Sequence, residues 1–142
     1  MLVPDASAAL AWLFRRQSCR EAMVADRLLD ELEAATVRVP ALWHVEVANA
    51  VLVAERRGVV TETQVSTYLQ RLSQLPIETD STQPAARQEG IVSLGRRFGL
   101  SAYDASYLDL AIRSGTLMAT FDQKLAAATR QVGIEVYGDR FT

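Results

Sequence analysis

Short apolar runs alternate along this chain with longer amphipathic stretches. Leu2-Val3-Pro4 is an apolar run closed by Asp5, and a helix is expected from about Ser7 to Arg16. Ser18-Cys19-Arg20-Glu21 has the Ser-x-x-Glu form that caps a helix start reciprocally, which predicts a second helix ending near Ala35. Val37-Arg38-Val39 alternates as a short strand does, and Pro40 suits the first turn of the helix that carries Glu46 to about Arg57, where Gly58 stops it. Thr61-x-x-Gln64 repeats the capping pattern for the next helix. Pro76 then turns the chain into a third strand, Ile77 to Asp80, and Ser81 to Pro84 open another helix whose end is bracketed by Gly95 and Gly99. Ser101-x-x-Asp104 starts a helix running to Ser114, stopped by Gly115. Leu117 to Phe121 reads as the fourth strand, Asp122 to Gln131 as a helix, and Ile134 to Tyr137, after Gly133, as an edge strand.

Strands separated by helices imply parallel pairing through right-handed crossovers. The expected fold is α/β: a three-layer αβα sandwich around a central, mainly parallel sheet of four to five short strands. No repeat, low-complexity tract or Pro/Gly/Ser-rich linker divides the chain, so residues 1–142 read as a single domain. At this length, with 49% hydrophobic residues, folding buries roughly two-thirds of the unfolded surface.

Charge and composition narrow the function classes. A net charge of −2 and a pI near 5.4 give no global signature of nucleic-acid binding, so any phosphate contact must be local. All but one of the fifteen basic residues are arginine, the exception being Lys124. The single cysteine, Cys19, excludes an intrachain disulfide and a multi-cysteine zinc site, and reads as a packing residue. The N-terminal apolar stretches are broken by Asp5 and Arg15-Arg16, and no run approaches the roughly 20 apolar residues that span a bilayer. The expectation is a soluble cytoplasmic protein without a signal peptide.

The candidate chemistry lies in four acids. Asp5 and Asp122 follow strands at their carboxyl ends, where ligands bind in parallel sheets. Asp104 shares a helical face with Tyr107, Leu108 and Ala111, and Glu46 shares one with Trp43, Val47, Ala50 and Val53, so both place charge where burial is costly. Asp109 falls on another face, pairs at i,i+4 with Arg113, and reads as a solvated surface residue. Each acid alone also has an ordinary explanation: Asp5 and Asp122 as caps of the helices that follow, Asp104 as the acidic partner of Ser101. Together they form a set suited to a divalent metal. Ser7, Thr120 and Asn49, close to Asp5, Asp122 and Glu46 in sequence, are candidate hydrogen-bond donors supporting the ligands, with capping or strand propensity as the alternative for Ser7 and Thr120.

At these residues the chain resembles a PIN-domain ribonuclease, specifically the toxin of a VapBC type II toxin–antitoxin pair. The matching motifs are Val3-Pro4-Asp5-Ala6-Ser7, Pro40 through Ala50 around Glu46, Leu100 through Tyr107 around Asp104, and Thr120-Phe121-Asp122, in order through most of the chain. Pro4 departs from the aliphatic residue often found before the first acid and removes one strand donor. The resemblance implies an acidic quartet of Asp5, Glu46, Asp104 and Asp122 supported by Thr120, all four also being metal ligands, with Glu46 a ligand or a positioner of the attacking water. It further implies one or two Mg2+ or Mn2+ ions, an endoribonuclease that cleaves RNA with a metal-activated water, a cognate VapB-like antitoxin that inhibits it, and a homodimer. Arg15-Arg16, Arg56-Arg57 and Arg96-Arg97 either track RNA or complement helix dipoles, the dipole being favoured for Arg56-Arg57.

Two other classes compete. A receiver-type phosphoacceptor would use Asp80 with Lys124, although the paired acids expected after its first strand are missing. A catalytically silent PIN-like partner-binding domain would use the acids only as helix caps. No Walker loop, His-Glu-x-x-His motif or dinucleotide fingerprint is present. His44, the only histidine, is expected to pack or sit at an interface beside Trp43, and Trp12, Phe14 and Trp43 are expected in the core or at a dimer contact.

Overall fold

The structure is a computed structural model and describes residues 1–11, 13 and 19–139. Among these, four three-residue strands form one parallel sheet: β1 (Leu2–Pro4), β2 (Val37–Val39), β3 (Ile77–Thr79) and β4 (Leu117–Ala119), in the order β3-β2-β1-β4. Adjacent strand residues point to opposite faces, yet Leu2 and Val3 are both almost fully buried, as are Met118 and Ala119. Both faces of the central strands are therefore covered, the layered arrangement expected from the alternation.

The helices are α1 (Ala6–Ala9), α2 (Cys19–Ala34), α3 (Leu42–Arg56), α4 (Glu62–Ser73), α5 (Gln88–Phe98), α6 (Ala102–Ser114) and α7 (Gln123–Gln131), with a 3-10 turn at Pro84–Arg87 before α5. Helix α6 packs on β1 and β4, between α5 and α7. Several ends follow the residues that predict them. Thr61 and Gln64 form a reciprocal capping box, and Gly99 and Gly115 close α5 and α6 in the left-handed region, at φ 65° and 60°.

Three expectations change. The helix expected from Ser7 to Arg16 ends at Ala9, where Ala11 N and Leu13 N turn back to the carbonyls three residues earlier, tighter than an α-helix allows. Its remaining residues, the Ser18 cap, the Arg15-Arg16 pair, Trp12, Phe14 and the Cys19 side chain lie outside the described residues. The edge strand expected at Ile134–Tyr137 contracts to one parallel bridge between Val136 and Met118. Pro40 stands just ahead of the cap of α3, Ala41, rather than inside the first turn.

The strand order creates the site. The chain moves from β1 outward through β2 to β3, then returns to place β4 on the other side of β1. Crossovers on either side of β1 leave a crevice beyond the carboxyl ends of β1 and β4, where open parallel sheets bind ligands. The missing N–H of Pro4 does not open this pair, because Pro4 stays in register with Ala119 and Asp5 N donates to the Ala119 carbonyl at 3.0 Å.

Candidate metal and active site at the carboxyl end of the sheet

Asp5 is the buried centre of the crevice, 4% exposed. Its Oδ1 accepts from Ser7 Oγ at 2.7 Å and from Ala8 N at 2.9 Å, so it also caps α1, while Thr120 Oγ1 donates to Oδ2. The two hydroxyls tie neighbouring loops together, since Ser7 Oγ accepts from Phe121 N at 2.9 Å and Thr120 Oγ1 accepts from Asp122 N at 3.0 Å. Ser7 and Thr120 therefore both donate to the Asp5 carboxylate, one to each oxygen. Burial pushes the Asp5 carboxyl up, the three hydrogen bonds pull it back in part, and the charge of Asp104 adds to the rise.

The other acids come from separate elements. Asp104 lies in the first turn of α6, its backbone N–H donating to the capping Ser101 hydroxyl at 3.2 Å. Burial raises its carboxyl first, then the charges of Asp122 and Glu46, and the Ser101 hydroxyl and Lys124 oppose the rise without cancelling it. Asp122 is exposed and caps α7, Oδ1 accepting from Leu125 N at 2.7 Å. Half-buried Glu46 on α3 receives a hydrogen bond at 2.5 Å from Tyr107 Oη on α6. Asp5, Glu46, Asp104 and Asp122 are thus coupled through charge, with Asp104 at the hub.

Residues 2–131 match the model of the PIN domain. The chain belongs to the PIN-domain family. Within it the chain falls on the VapC branch: it is 32% identical over 132 residues to Ribonuclease VapC3 of Mycobacterium tuberculosis, in both strain CDC 1551 / Oshkosh and strain ATCC 25618 / H37Rv, covering 89% of this chain and 86% of that one. Among solved structures it is similar in fold to PAE2754 from Pyrobaculum aerophilum, with a TM-score of 0.70 and 23% identity over 98% of this chain and 90% of that one. It is also similar to FitAcB from Neisseria gonorrhoeae, with a TM-score of 0.65 and 18% identity over the full length of both.

This PIN domain is a fitting but not a preformed site for a divalent ion. Among the described residues no three carboxylate, imidazole or thiol groups converge tightly enough to enclose a metal as they stand. Asp5, Glu46 and Asp122 each give one or both oxygens to the protein's own donors. The donor set is nonetheless all hard oxygen, and Glu46 Oε2 and Asp122 Oδ2 make no hydrogen bond among the described residues. Carboxylates crowded until two of them resist ionisation are the environment a divalent cation relieves.

Not every expectation joins the cluster. Asn49 is exposed on α3 and makes no hydrogen bond to the acids among the described residues. Asp109 is not solvated: it is 4% exposed, bound by Arg87 as well as by the expected Arg113. Asp80 and Lys124 follow strands at opposite edges of the sheet, and Asp80 is paired to Arg113 at 2.7 Å, so the receiver-type pairing is not formed. His44 is exposed, edge-on to Trp43 at 5.0 Å and bonded to Thr79 Oγ1 at 2.8 Å. Tyr107 was legible only as part of an apolar face. It is 1% exposed, and its hydroxyl feels Glu46, Asp5 and Asp104 together. The signal for it was a polar tip on the Asp104 face of α6.

Proposed function

We propose that this PIN domain is a divalent-metal-dependent endoribonuclease and the toxin of a type II toxin–antitoxin module, acting in the cytoplasm. The observation that carries the reading is the set of acids on separate elements around the carboxyl ends of β1 and β4, where Thr120 donates to Asp5 and Tyr107 of α6 donates to Glu46 of α3. Membership of the VapC branch supports RNA as the substrate and an antitoxin as the inhibitor.

Asp5, Asp104, Asp122 and Glu46 would hold Mg2+ or Mn2+, hard ions suited to carboxylate oxygen. When bound, such an ion supplies Lewis-acid stabilisation of the phosphodiester and a water acidic enough to attack at neutral pH. The chain's own residues do the positioning. Ser7 and Thr120 fix both oxygens of Asp5, and Tyr107 fixes one oxygen of Glu46, leaving the other to orient a water or a ligand. The rise of the Asp5 and Asp104 carboxyls marks where positive charge is wanted, so a basic segment of an antitoxin has a place to compete. Val45 and Leu52 project from the outer face of α3, 71% and 47% exposed, which supports association with protein, as a homodimer or with the antitoxin. No helix among the described residues is long and apolar enough to cross a membrane.

The test is incubation of the purified full chain with total cellular RNA and Mg2+ or Mn2+, beside a chelator control and Asp5→Asn. Discrete fragments that require both the ion and Asp5 are expected. Intact RNA under every condition would favour the catalytically silent partner-binding domain.

A further inference from the structure

Lys124 sits where local physics disfavours it. Asp122 caps α7, so Gln123 and Lys124 take its first two helical positions. Aligned peptide dipoles make a helix N-terminus partly positive, and a cation is better placed at the other end. No compensating ion pair is formed: among the described residues no carboxylate lies within salt-bridge distance of the exposed ammonium. A residue that breaks a local rule without local compensation is a functional candidate.

Its side chain has a defined direction. Nζ and Cε lie 3.5 and 3.6 Å from where a Cβ on Gly99 would stand, so the lysine lies against the turn between α5 and α6. Lys124 stands two residues beyond Asp122 at the start of α7, and the turn it covers leads into the first turn of α6, which holds Asp104. The ammonium therefore rests at the rim of the acid cluster, exposed and uncommitted.

The choice of lysine also has a physical reading. Elsewhere in this molecule arginines pair with acids, in a fork for Arg87 on Asp109 and Arg130 on Asp139, and by bridging two acids for Arg113 on Asp109 and Asp80. The guanidiniums at the neighbouring cleft of about 400 Å3, which Thr120 and Asp122 also line, are engaged too, Arg20 with the Gly138 carbonyl at 3.1 Å and Arg130 with Asp139. A compact ammonium on a flexible stem has no fork to lock onto a carboxylate and stays available to an incoming oxyanion.

We propose that Lys124 is a substrate-binding residue whose ammonium holds a non-bridging oxygen of an RNA phosphate at, or next to, the bond being cleaved. This rests on the ribonuclease reading and adds its phosphate contact. A cluster of four acids repels a polyanion, and a cation at its rim offsets that repulsion where the strand enters.

The experiment compares wild type with Lys124→Ala on an RNA oligonucleotide that wild type cleaves, in Mn2+, from about 50 to about 200 mM monovalent salt. Expected are a KM raised about tenfold at the lower salt, a smaller change in kcat, and a log–log salt slope shallower by about one. Melting temperature and Mn2+ affinity by calorimetry are expected to stay as in wild type. An unchanged KM and slope would overturn the assignment, as would a loss confined to melting temperature or Mn2+ affinity, which would make Lys124 only a neutraliser of Asp104. In either case cleavage by wild type leaves the ribonuclease reading standing, whereas no cleavage and no RNA binding by wild type would remove both.

Discussion

Helix α6 carries two aspartates five residues apart, and the fold treats them in opposite ways. Asp109 is the more buried, and burial alone would raise its carboxyl. Hydrogen bonds from Arg87 at 2.5 and 3.1 Å and from Arg113 at 2.9 Å, with both charges, instead hold it below the ordinary range. Arg113 reaches on to Asp80, so the acid is one member of a network joining α6 to the segment after β3. Asp104 is less buried, yet its carboxyl is raised, first by burial and then by the charges of Asp122 and Glu46, which the Ser101 hydroxyl and Lys124 only partly oppose. Burial therefore does not separate the two; the sign of the neighbours does. One region is electrostatically complete within the chain, and the other keeps an excess of like charge, which the proposed cation would offset.

The largest effect is expected at the complete region. Asp109→Asn leaves Arg87 and Arg113 facing a neutral group that is 5% exposed on its side chain, and should cost about 3 kcal/mol in denaturant melts, at the low end for a broken buried pair because the arginines reach solvent. Cleavage per folded molecule should survive. Asp104→Asn should do the reverse: cleavage falls by more than about 100-fold, while the metal-free melting temperature rises by about 1–2 °C as like-charge repulsion is relieved. Equal destabilisation by both variants would break the comparison.

A smaller effect separates the regions by pH. Asp5 and Asp104 have folded values above the ordinary 3.8, so their stabilising contribution is full below 3.8 and lost as pH rises through the raised values. Asp80, Asp109 and Asp139 have folded values below 3.8, so theirs is full above 3.8 and lost as pH falls through the lowered values. Calorimetric melting of metal-free protein across this range should show Asp104→Asn flattening the side above 3.8 and Asp109→Asn flattening the side below it. The same limb flattened in both variants would contradict the assignment.

The sequence carries one of these regions much better than the other. Asp5 and Asp122 announce themselves by following strands, and Ser101 and Gly115 bound α6 so clearly that Asp104 falls on a known turn. The sheet is legible for the same reason: two apolar triplets, Leu2–Pro4 and Leu117–Ala119, and two alternating ones, Val37–Val39 and Ile77–Thr79, stand between helices, and the chirality of crossovers limits how they can pair. Asp109 is misread because its i,i+4 partner Arg113 is visible along the helix, whereas Arg87, which helps bury it, is a tertiary neighbour 22 residues away. Tyr107 is hidden by its own ring, which fits an apolar face and conceals a hydroxyl aimed at Glu46. Ala8 to Ala11 are all buried, so that run has no polar side to mark where α1 stops.

The most direct measurement is calorimetric titration of Mn2+ into metal-free wild type, Asp5→Asn, Asp104→Asn and Asp109→Asn. Binding by wild type and Asp109→Asn, with loss in Asp5→Asn and Asp104→Asn, is the expected result. No Mn2+ binding by folded wild type, or undiminished binding by Asp104→Asn, would contradict the account of the acid cluster as a cation site.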